Sequence, residues 1–364
     1  MLKTLEGVND PELGGNVVEL GMITDVRISD GQVDIGLALT VAECPLRSQI
    51  ENDTRRRVES MPGVDEVSIH TTAMTKRQRA ELMSVARRKA REGAEPTQVA
   101  STTRVLAIAS GKGGVGKSSL SVNLAVGLAQ REHRVGLLDA DIWGFSIPRM
   151  LGVEGRLAAD ADSKLIQPVE VEGVKVVSTG LIIESEETAL MWRGLMLSKA
   201  LEQFLKQVEW GDLDYLVIDM PPGTGDVPMA LARMLPQAEM VVVTTPQRAA
   251  QKVAIRVADL ARRSHMPVAG VIENMSGEVF GEGGGEELAD EISVPFLGSV
   301  PLDPAVVAGS DAGRPVILEP EPGPAALALV SVVDTLVQVV PPAALETCTG
   351  RIAKLIADLE DGAA

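Results

Sequence analysis

Cysteine, aromatic residues and positive charge are scarce in this sequence of 364 residues. Its two cysteines, Cys44 and Cys348, cannot build a disulfide framework, which excludes a small secreted scaffold of that kind. Three Trp, one Tyr and four Phe leave the core to aliphatic side chains. With 51 acidic residues against 34 basic ones, the net charge is −17, whereas phosphate binding needs clustered positive charge. A nucleic-acid partner is therefore not expected.

Targeting signals and long apolar runs are missing too. The first 15 residues contain Glu6 and Asp10 and no apolar stretch, which is unlike a signal peptide. The nearest approach to a membrane span, residues 325–340, is interrupted by polar side chains and predicts an amphipathic helix instead. We therefore expect a cytoplasmic protein without a membrane partner.

Three segments of different character divide the chain. Residues 1–75 combine alternating apolar positions with helical spacing, which predicts a small α+β domain. Residues 76–102 begin with seven basic and two acidic side chains, a net +5 that leaves −22 elsewhere, and end in a flexible linker. The basic run is either a solvated helix face or a docking surface for an acidic partner or an acidic part of the same protein.

From residue 103 to residue 364, short apolar strands alternate with helical segments. Continuous apolar runs of this kind predict a mostly parallel sheet that is covered by helices on both faces. A glycine-rich motif, GKGGVGKS at 111–118, joins the first of these strands to a helix. It fits the phosphate-binding P-loop, G-x-x-x-x-G-K-S/T, so the predicted fold class is an α/β P-loop NTPase preceded by the small α+β domain.

The residue types of this loop suit a phosphate group. Glycines allow backbone N–H groups to converge on phosphate oxygens, and the helix N-terminus adds positive potential. Lys117 would reach the outer phosphates of ATP, and Ser118 would hold Mg²⁺. The predicted nucleotide-binding residues in this region are Gly111, Lys112, Gly113, Gly114, Val115, Gly116, Lys117, Ser118 and Ser119.

Acidic residues end two of the predicted strands. Asp139 and Asp141 follow one apolar strand, and Asp219 follows another. Ligands sit at the carboxyl ends of parallel strands, and carboxylates there hold Mg²⁺ directly or through water. These carboxylates are therefore candidate ligands for Mg²⁺.

The larger part of the chain resembles a known family in five segments: GKGGVGKSSLSVNLA, LLDADIWGFSIPRMLG, MWRG, DYLVIDMPPGTGD and VIENMSG. They are similar to those of the Mrp-type ATP-binding iron–sulfur cluster carriers, which belong to the MinD/ParA-like P-loop ATPases. The resemblance covers residues 104–320. It implies an ATPase that binds ATP between the subunits of a homodimer, hydrolyses it slowly and carries a cluster to apoprotein clients.

The resemblance also implies roles for individual residues. The extra lysine of the loop, Lys112, would cross the dimer interface to the partner's nucleotide, as an arginine finger does. Asp219 would be the Walker B acid, and Asp141 would orient the attacking water. Asp139 would support the metal shell, so Ser118, Asp139 and Asp219 form the predicted metal site. Lys112, Lys117 and Asp141 are thus the predicted catalytic residues. The backbone N–H of Gly223 would reach the γ-phosphate.

The predicted adenine site depends on less specific residues. In this family an Asn after the penultimate core strand binds adenine, and a Pro-x-Asp segment packs on the base. Asn274 fits the first position, while Pro301 and Asp303 fit the second more loosely. The alternative for all three is the role of an ordinary turn residue.

Residues 1–72 resemble the small domain that is found alone or fused in iron–sulfur assembly proteins, through segments such as DPE at 10–12 and VELGMI at 18–23. Cys44 in this domain precedes a predicted helix. A helix N-terminus lowers the pKa of a thiol and favours the thiolate, the form that binds metal or acts as a nucleophile. The alternative for Cys44 is a buried small hydrophobic residue.

One loop departs from the family's pattern. Members usually have a C-x-x-C pair shortly after the E-N-M segment, and its thiolates from both subunits hold a 4Fe–4S cluster. Here residues 276–285 read SGEVFGEGGG and contain no cysteine. An iron–sulfur cluster is therefore an expected cargo that this loop does not hold, and Cys44 is the remaining candidate thiol.

Three functions stay open at this point. The first is an ATP-dependent iron–sulfur carrier or assembly factor. The second is a cluster-free ATPase switch that controls partner binding, and the third is a thiol-based protein modifier that uses Cys44. Membrane positioning is disfavoured because residues 351–362 carry mixed charge rather than a basic amphipathic face, and DNA positioning is disfavoured by the acidic charge.

Overall fold

The computed structural model describes residues 1–10, 15–29, 31–39, 47–75, 77–79, 81–82, 85, 96–142, 144–153, 155–161, 163–182, 194–223 and 226–342. These residues belong to two compact units, Met1–Ala94 and Glu95–Ala364. Cys44, Cys348, most of the basic run at 76–92 and the C-terminal segment 351–362 lie outside the described residues. Their predicted roles stay predictions.

A three-stranded sheet forms the centre of the first unit. Strand β1 (Ile23–Ser29) pairs antiparallel with β2 (Gln32–Leu39), and β2 pairs in parallel with β3 (Glu66–Ala73). Helix α2 (Arg47–Glu59) connects β2 to β3, and a short helix α1 (Leu2–Leu5) precedes the sheet. Aliphatic side chains from β2 and α2 are buried together, so this unit is the small α+β domain that the sequence predicts.

The described residues of the second unit form ten strands, namely β4 (Arg104–Ser110), β5 (Val135–Asp139), β6 (Ala158–Ala159), β7 (Ile166–Gln167), β8 (Val169–Val171), β9 (Val174–Ser178), β10 (Tyr215–Asp219), β11 (Ala238–Thr244), β12 (Val268–Ser276) and β13 (Phe296–Pro301). Eight of them form one sheet in the order β13-β12-β11-β4-β10-β5-β9-β8. Only the edge strand β8 runs antiparallel to its neighbour within this sheet. The pair β6–β7 is a separate antiparallel ribbon.

Helices of the second unit are α3 (Lys117–Ala129), α4 (Ile147–Met150), α5 (Gly194–Gln207), α6 (Asp226–Met234), α7 (Arg248–Arg263), α8 (Gly284–Ile292), α9 (Pro304–Asp311) and α10 (Pro324–Val339). Short 3-10 turns lie at 179–181 and 316–318. Helix α10 is the helix predicted at 325–340, and it buries one face. Among the described residues, no helix is long and apolar enough to cross a membrane.

Successive side chains of the central strands are buried in two hydrophobic cores, one on each face of the sheet. Val105 and Ala107 of β4 pack with α5, α6 and α7, whereas Leu106 and Ile108 pack with α3 and α10. This alternation follows from the period of two residues in a strand. The sheet is therefore covered by helices on both faces, which confirms the predicted fold class. Because the central strands are parallel, their carboxyl ends meet at one edge of the sheet.

Candidate nucleotide site

The P-loop joins β4 to α3 in the conformation that its glycines permit. Gly114 and Gly116 both have a φ of 78°, in the left-handed region that favours glycine. A Cβ at Gly116 would lie 2.2 Å from Nδ2 of Asn274, so a larger residue would collide there. The sequence thus places a turn with converging backbone N–H groups directly before the N-terminus of α3.

The carboxylate of Asp219 accepts hydrogen bonds from three side chains of α3. Nζ of Lys117 lies 2.7 Å from its Oδ1, and Oγ of Ser118 donates to its Oδ2 at 2.6 Å. Oγ of Ser121 donates to Oδ1 at 2.8 Å. Asp219 is fully buried and Lys117 is 6% exposed, so each charge needs the other as a partner. Sequence reasoning missed Ser121, although its spacing of three residues from Ser118 places both on one helix face.

Asp139 lies beside Asp219, because the two residues are register partners on β5 and β10. Its Oδ2 accepts a hydrogen bond from Oγ of Ser178 at 3.0 Å, and its Oδ1 accepts one from the N–H of Asp141 at 3.2 Å. Burial, together with the negative charge of Asp219, raises the pKa of Asp139 well above its usual range. Ser178 lies on β9, and no local sequence pattern indicates its contact with Asp139.

Asp141 sits at the outer side of the same cluster and is half-buried. Burial raises the pKa of this carboxyl, while the positive charge of Lys117 lowers it. The N–H of Gly144 donates to its Oδ1 at 3.3 Å. Asp141 thus lies near the P-loop lysine and keeps partial access to solvent, as a residue that orients water requires.

The carboxylates of this edge fit Mg²⁺ that is bound together with a nucleotide. The negative charge of Asp219 raises the pKa of both Asp139 and Asp141, whereas the positive charge of Lys117 lowers the pKa of both. A divalent cation would balance this excess of negative charge. Within the described ranges, no group of three or more His, Cys, Asp or Glu side chains forms a metal site by itself. Mg²⁺ commonly takes one or two carboxylates and completes its shell with phosphates and water.

Lys112 is exposed at the start of the P-loop. Its Nζ lies 3.4 Å from Oε1 of Gln247, and its carbonyl accepts a hydrogen bond from Oγ of Ser110 at 3.0 Å. The side-chain contact of Lys112 is thus with Gln247, which precedes α7. Its contact with a partner's nucleotide stays a prediction.

Three other predicted residues, Gly223, Asn274 and Asp303, form hydrogen bonds within the protein. The N–H of Gly223 donates to the carbonyl of Ser110 at 2.9 Å, so a γ-phosphate would have to replace that carbonyl. Nδ2 of Asn274 donates to the carbonyl of Val115 at 2.8 Å. Asp303 caps α9 by accepting the N–H of Ala305 at 2.9 Å. These contacts give Asn274 and Asp303 structural roles, and their contact with adenine stays a prediction.

Two further predicted residues flank the site without a side-chain contact to its carboxylates. Pro301 ends β13 and is half-buried. Ser119 is half-buried on α3, where its carbonyl accepts a hydrogen bond from Nδ2 of Asn123 at 2.8 Å. Both lie close in sequence to residues that line the edge, so a nucleotide contact stays a prediction for each.

Two family models match the chain in separate regions. Residues 101–337 match the ParA-type model described as the NUBPL iron-transfer P-loop NTPase. Residues 1–69 match the model of the iron–sulfur cluster assembly protein. The two matches correspond to the P-loop unit and to the small α+β unit.

Curated relatives match nearly the whole chain. A protein of Mycobacterium leprae named iron-sulfur cluster carrier protein is 44% identical and covers 91% of this chain and 90% of its own length. A protein of the same name from Synechocystis sp. is 40% identical and covers 95% of this chain and 98% of its own length.

Solved structures resemble the P-loop unit. The nucleotide-binding protein of Archaeoglobus fulgidus, in complex with ADP, has 33% sequence identity and a TM-score of 0.53, covering 65% of this chain and 94% of that one. The cell division ATPase MinD of Pyrococcus furiosus, at 23% identity, has a TM-score of 0.53, covers 65% of this chain and 99% of its own, and supports the fold alone. From its P-loop geometry, its family models and its full-length relatives, the chain belongs to the NUBPL iron-transfer P-loop NTPase family.

Proposed function

We propose that this protein binds ATP, hydrolyses it slowly and acts as an iron–sulfur cluster carrier or assembly factor, as a homodimer whose state depends on the nucleotide. The observation that carries this proposal is the convergence of Lys117 and Ser118 on the buried carboxylate of Asp219. A lysine, a hydroxyl and an acid in this arrangement support the binding of a phosphate with its metal ion.

On binding, ATP and its metal ion would replace the contacts that Lys117 and Ser118 make with Asp219. The ammonium of Lys117 would turn from Asp219 to the outer phosphates, and the freed oxygens of Ser118 and Asp219 would hold Mg²⁺. Bound there, Mg²⁺ would neutralise charge on the phosphates. Asp141 would orient the attacking water, and Lys112 of the partner subunit would add positive charge to the transferred phosphoryl group.

The relatives support the choice of cargo and nucleotide. Two relatives that cover at least nine tenths of this chain are named iron-sulfur cluster carrier proteins. The Archaeoglobus fulgidus neighbour holds ADP on a matching fold. We accordingly expect the protein to deliver clusters to apoprotein clients or assembly factors in the cytoplasm.

The cluster ligands require a separate proposal, because the loop at 276–285 contains no cysteine. We assign the cluster, as substrate, to Cys44 together with its mate in a dimer, a partner protein or an exogenous ligand. One thiolate per subunit is few for a cluster, since four ligands are usual. A second candidate function, favoured by the missing thiols, is a cluster-free switch in which the nucleotide alone controls partner binding.

Anaerobic reconstitution with iron and sulfide separates these two functions. We expect the wild-type chain to take up iron and sulfide and to lose most of this uptake in Cys44→Ser, because the thiolate is the metal-binding form. Cys348→Ser is the matched control and should retain the uptake. Equal and negligible uptake by wild type and Cys44→Ser would contradict the carrier function of the isolated protein and favour the switch.

A further inference from the structure

Glu273 is a buried carboxylate that the nucleotide site described above does not use. It lies on β12, is 1% exposed, and faces the start of α8. Its Oε2 accepts the N–H of Gly285 at 2.6 Å, and its Oε1 accepts the N–H of Gly283 at 3.2 Å. Oγ of Ser299 on β13 donates to the same Oε1 at 3.0 Å. The side chain of Glu273 thus connects β12 to the start of α8 and to the neighbouring strand β13.

Close backbone packing makes this connection rigid. A Cβ at Gly285 would lie 2.6 Å from Cβ of Glu273, and a Cβ at Gly284 would lie 2.2 Å from the carbonyl oxygen of Pro246. Only glycine therefore allows the first turn of α8 to approach the strand so closely. The carboxylate also lies at a helix N-terminus, where negative charge is favourable.

The next residue of the strand reaches the P-loop. Asn274 is 8% exposed, and its Nδ2 donates to the carbonyl of Val115 at 2.8 Å. The same Nδ2 occupies the space that a Cβ at Gly116 would need. Because successive side chains of a strand point to opposite faces, Glu273 and Asn274 hold different parts of the protein from adjacent positions.

The backbone after Asn274 is irregular. Met275 has a φ of 60°, which a residue other than glycine rarely adopts, and the register between β12 and β13 shifts between Asn274 and Ser276. A conformation of this kind persists only where its surroundings hold it in place. The three hydrogen bonds of Glu273 hold the backbone before Met275. After Met275, the N–H of Leu302 donates to the carbonyl of Ser276 at 2.8 Å.

We propose that Glu273 is a positioning residue of the nucleotide site, which holds the Asn274–Met275 irregularity so that Asn274 supports the P-loop at Val115. The carboxylate acts through its neighbour and touches neither nucleotide nor reacting atoms. This inference rests on the proposed function in one respect, namely that the P-loop binds a nucleotide.

Glu273→Gln tests this role, because the amide keeps the size of the side chain and removes its charge. Its NH₂ group would face an N–H donor of Gly283 or Gly285, so at least one hydrogen bond is lost. We expect the affinity for Mg-ADP, measured by titration calorimetry on the full chain, to fall by about tenfold. Ser299→Ala removes one bond of the three and should lower it by about twofold to threefold. Glu278→Gln, an exposed carboxylate that follows β12, is the matched control and should leave the affinity unchanged.

Hydrogen exchange without nucleotide gives a second readout. Amides of the P-loop peptide around 111–118 should exchange several times faster in Glu273→Gln than in wild type, and Glu278→Gln should match wild type. If Glu273→Gln does not fold, both quantities are measured on Ser299→Ala instead.

A purely structural role of Glu273 would lower the melting temperature of the variant and leave its Mg-ADP affinity and P-loop exchange unchanged. That outcome would overturn the positioning role alone. Failure of the wild type to bind Mg-ADP would instead contradict the proposed function, and unchanged P-loop exchange would still overturn the positioning role by itself.

Discussion

At the scale of single residues, Asp219 is the central acceptor of the candidate nucleotide site. Its carboxylate satisfies the buried ammonium of Lys117 and the hydroxyls of Ser118 and Ser121 at once. A buried ion pair contributes little net stability over an apolar pair, but the removal of one partner leaves an uncompensated charge. Each charge of this pair is therefore compensated by the other inside the protein.

We predict that Lys117→Ala lowers the free energy of unfolding by about 3 kcal/mol, because the buried carboxylate of Asp219 then keeps its two hydroxyl donors but loses its compensating positive charge. Adding Asp219→Asn should recover most of this loss, since the carboxylate charge is gone. The free energies are compared by urea unfolding. Lys112→Ala, which truncates the exposed lysine of the same loop, is the control and should match wild type. A double variant no more stable than Lys117→Ala would contradict this explanation.

At the scale of elements, the starts of β5 and β10 are joined by a reciprocal contact. The side chain of Arg134 donates to Asp214 from Nη2 at 2.8 Å, and the backbone N–H of Arg134 donates to the same carboxylate at 2.8 Å. The N–H of Asp214 in turn donates to the carbonyl of Arg134 at 2.9 Å. The hydrogen bond from the Arg134 side chain lowers the pKa of Asp214. This contact fixes the register of the strands that carry Asp139 and Asp219.

The lowered pKa of Asp214 sets the sign of a pH dependence. A carboxyl whose pKa is lower in the folded chain stabilises the fold above its ordinary pKa of about 4, and this stabilisation is lost as the pH falls through the folded value. We expect Asp214→Asn to lower the free energy of unfolding by up to about 1 kcal/mol at neutral pH, since the pair is partly exposed. The difference from wild type should shrink below about pH 4.

Asp212→Asn is the control for that experiment. Its carboxylate lies 3.7 Å from the same Arg134 but is 87% exposed, so its loss should have a much smaller effect. The stability curves are measured by urea unfolding across the pH range. An equal difference between Asp214→Asn and wild type at pH values well below and well above 4 would contradict the assignment.

Some elements of the fold were predictable from the sequence alone, and others were not. The P-loop at 111–118 and the apolar strands β4, β5 and β10 were predictable, because each signal is contiguous in the chain. Contacts made by sheet neighbours were not, since Ser178 meets Asp139 across 39 positions and Ser299 meets Glu273 across 26. The order of strands, and with it these partners, arises from packing rather than from local pattern. The antiparallel edge strand β8 was missed because three residues carry too weak a period.

At the scale of the whole molecule, two units divide the chemistry of the family between them. The second unit holds the nucleotide site, and the first unit is the assembly-type domain whose cysteine, Cys44, is the candidate thiol. Lys112 is exposed, with its Nζ 3.4 Å from Oε1 of Gln247, and in the proposed homodimer it would reach the partner's nucleotide. A net charge of −17 fits protein clients better than nucleic acid.

The rate of Mg-ATP hydrolysis per subunit, measured against protein concentration, tests the proposed nucleotide-switched dimer most directly. We expect the wild-type rate to rise with concentration and then level off, because catalysis needs the partner's Lys112. Lys117→Ala should show no turnover, and Lys112→Ala should still bind ATP while its rate stays low at every concentration. A wild-type rate that does not depend on concentration and is unchanged in Lys112→Ala would contradict catalysis across the dimer, and normal turnover in Lys117→Ala would contradict the site itself.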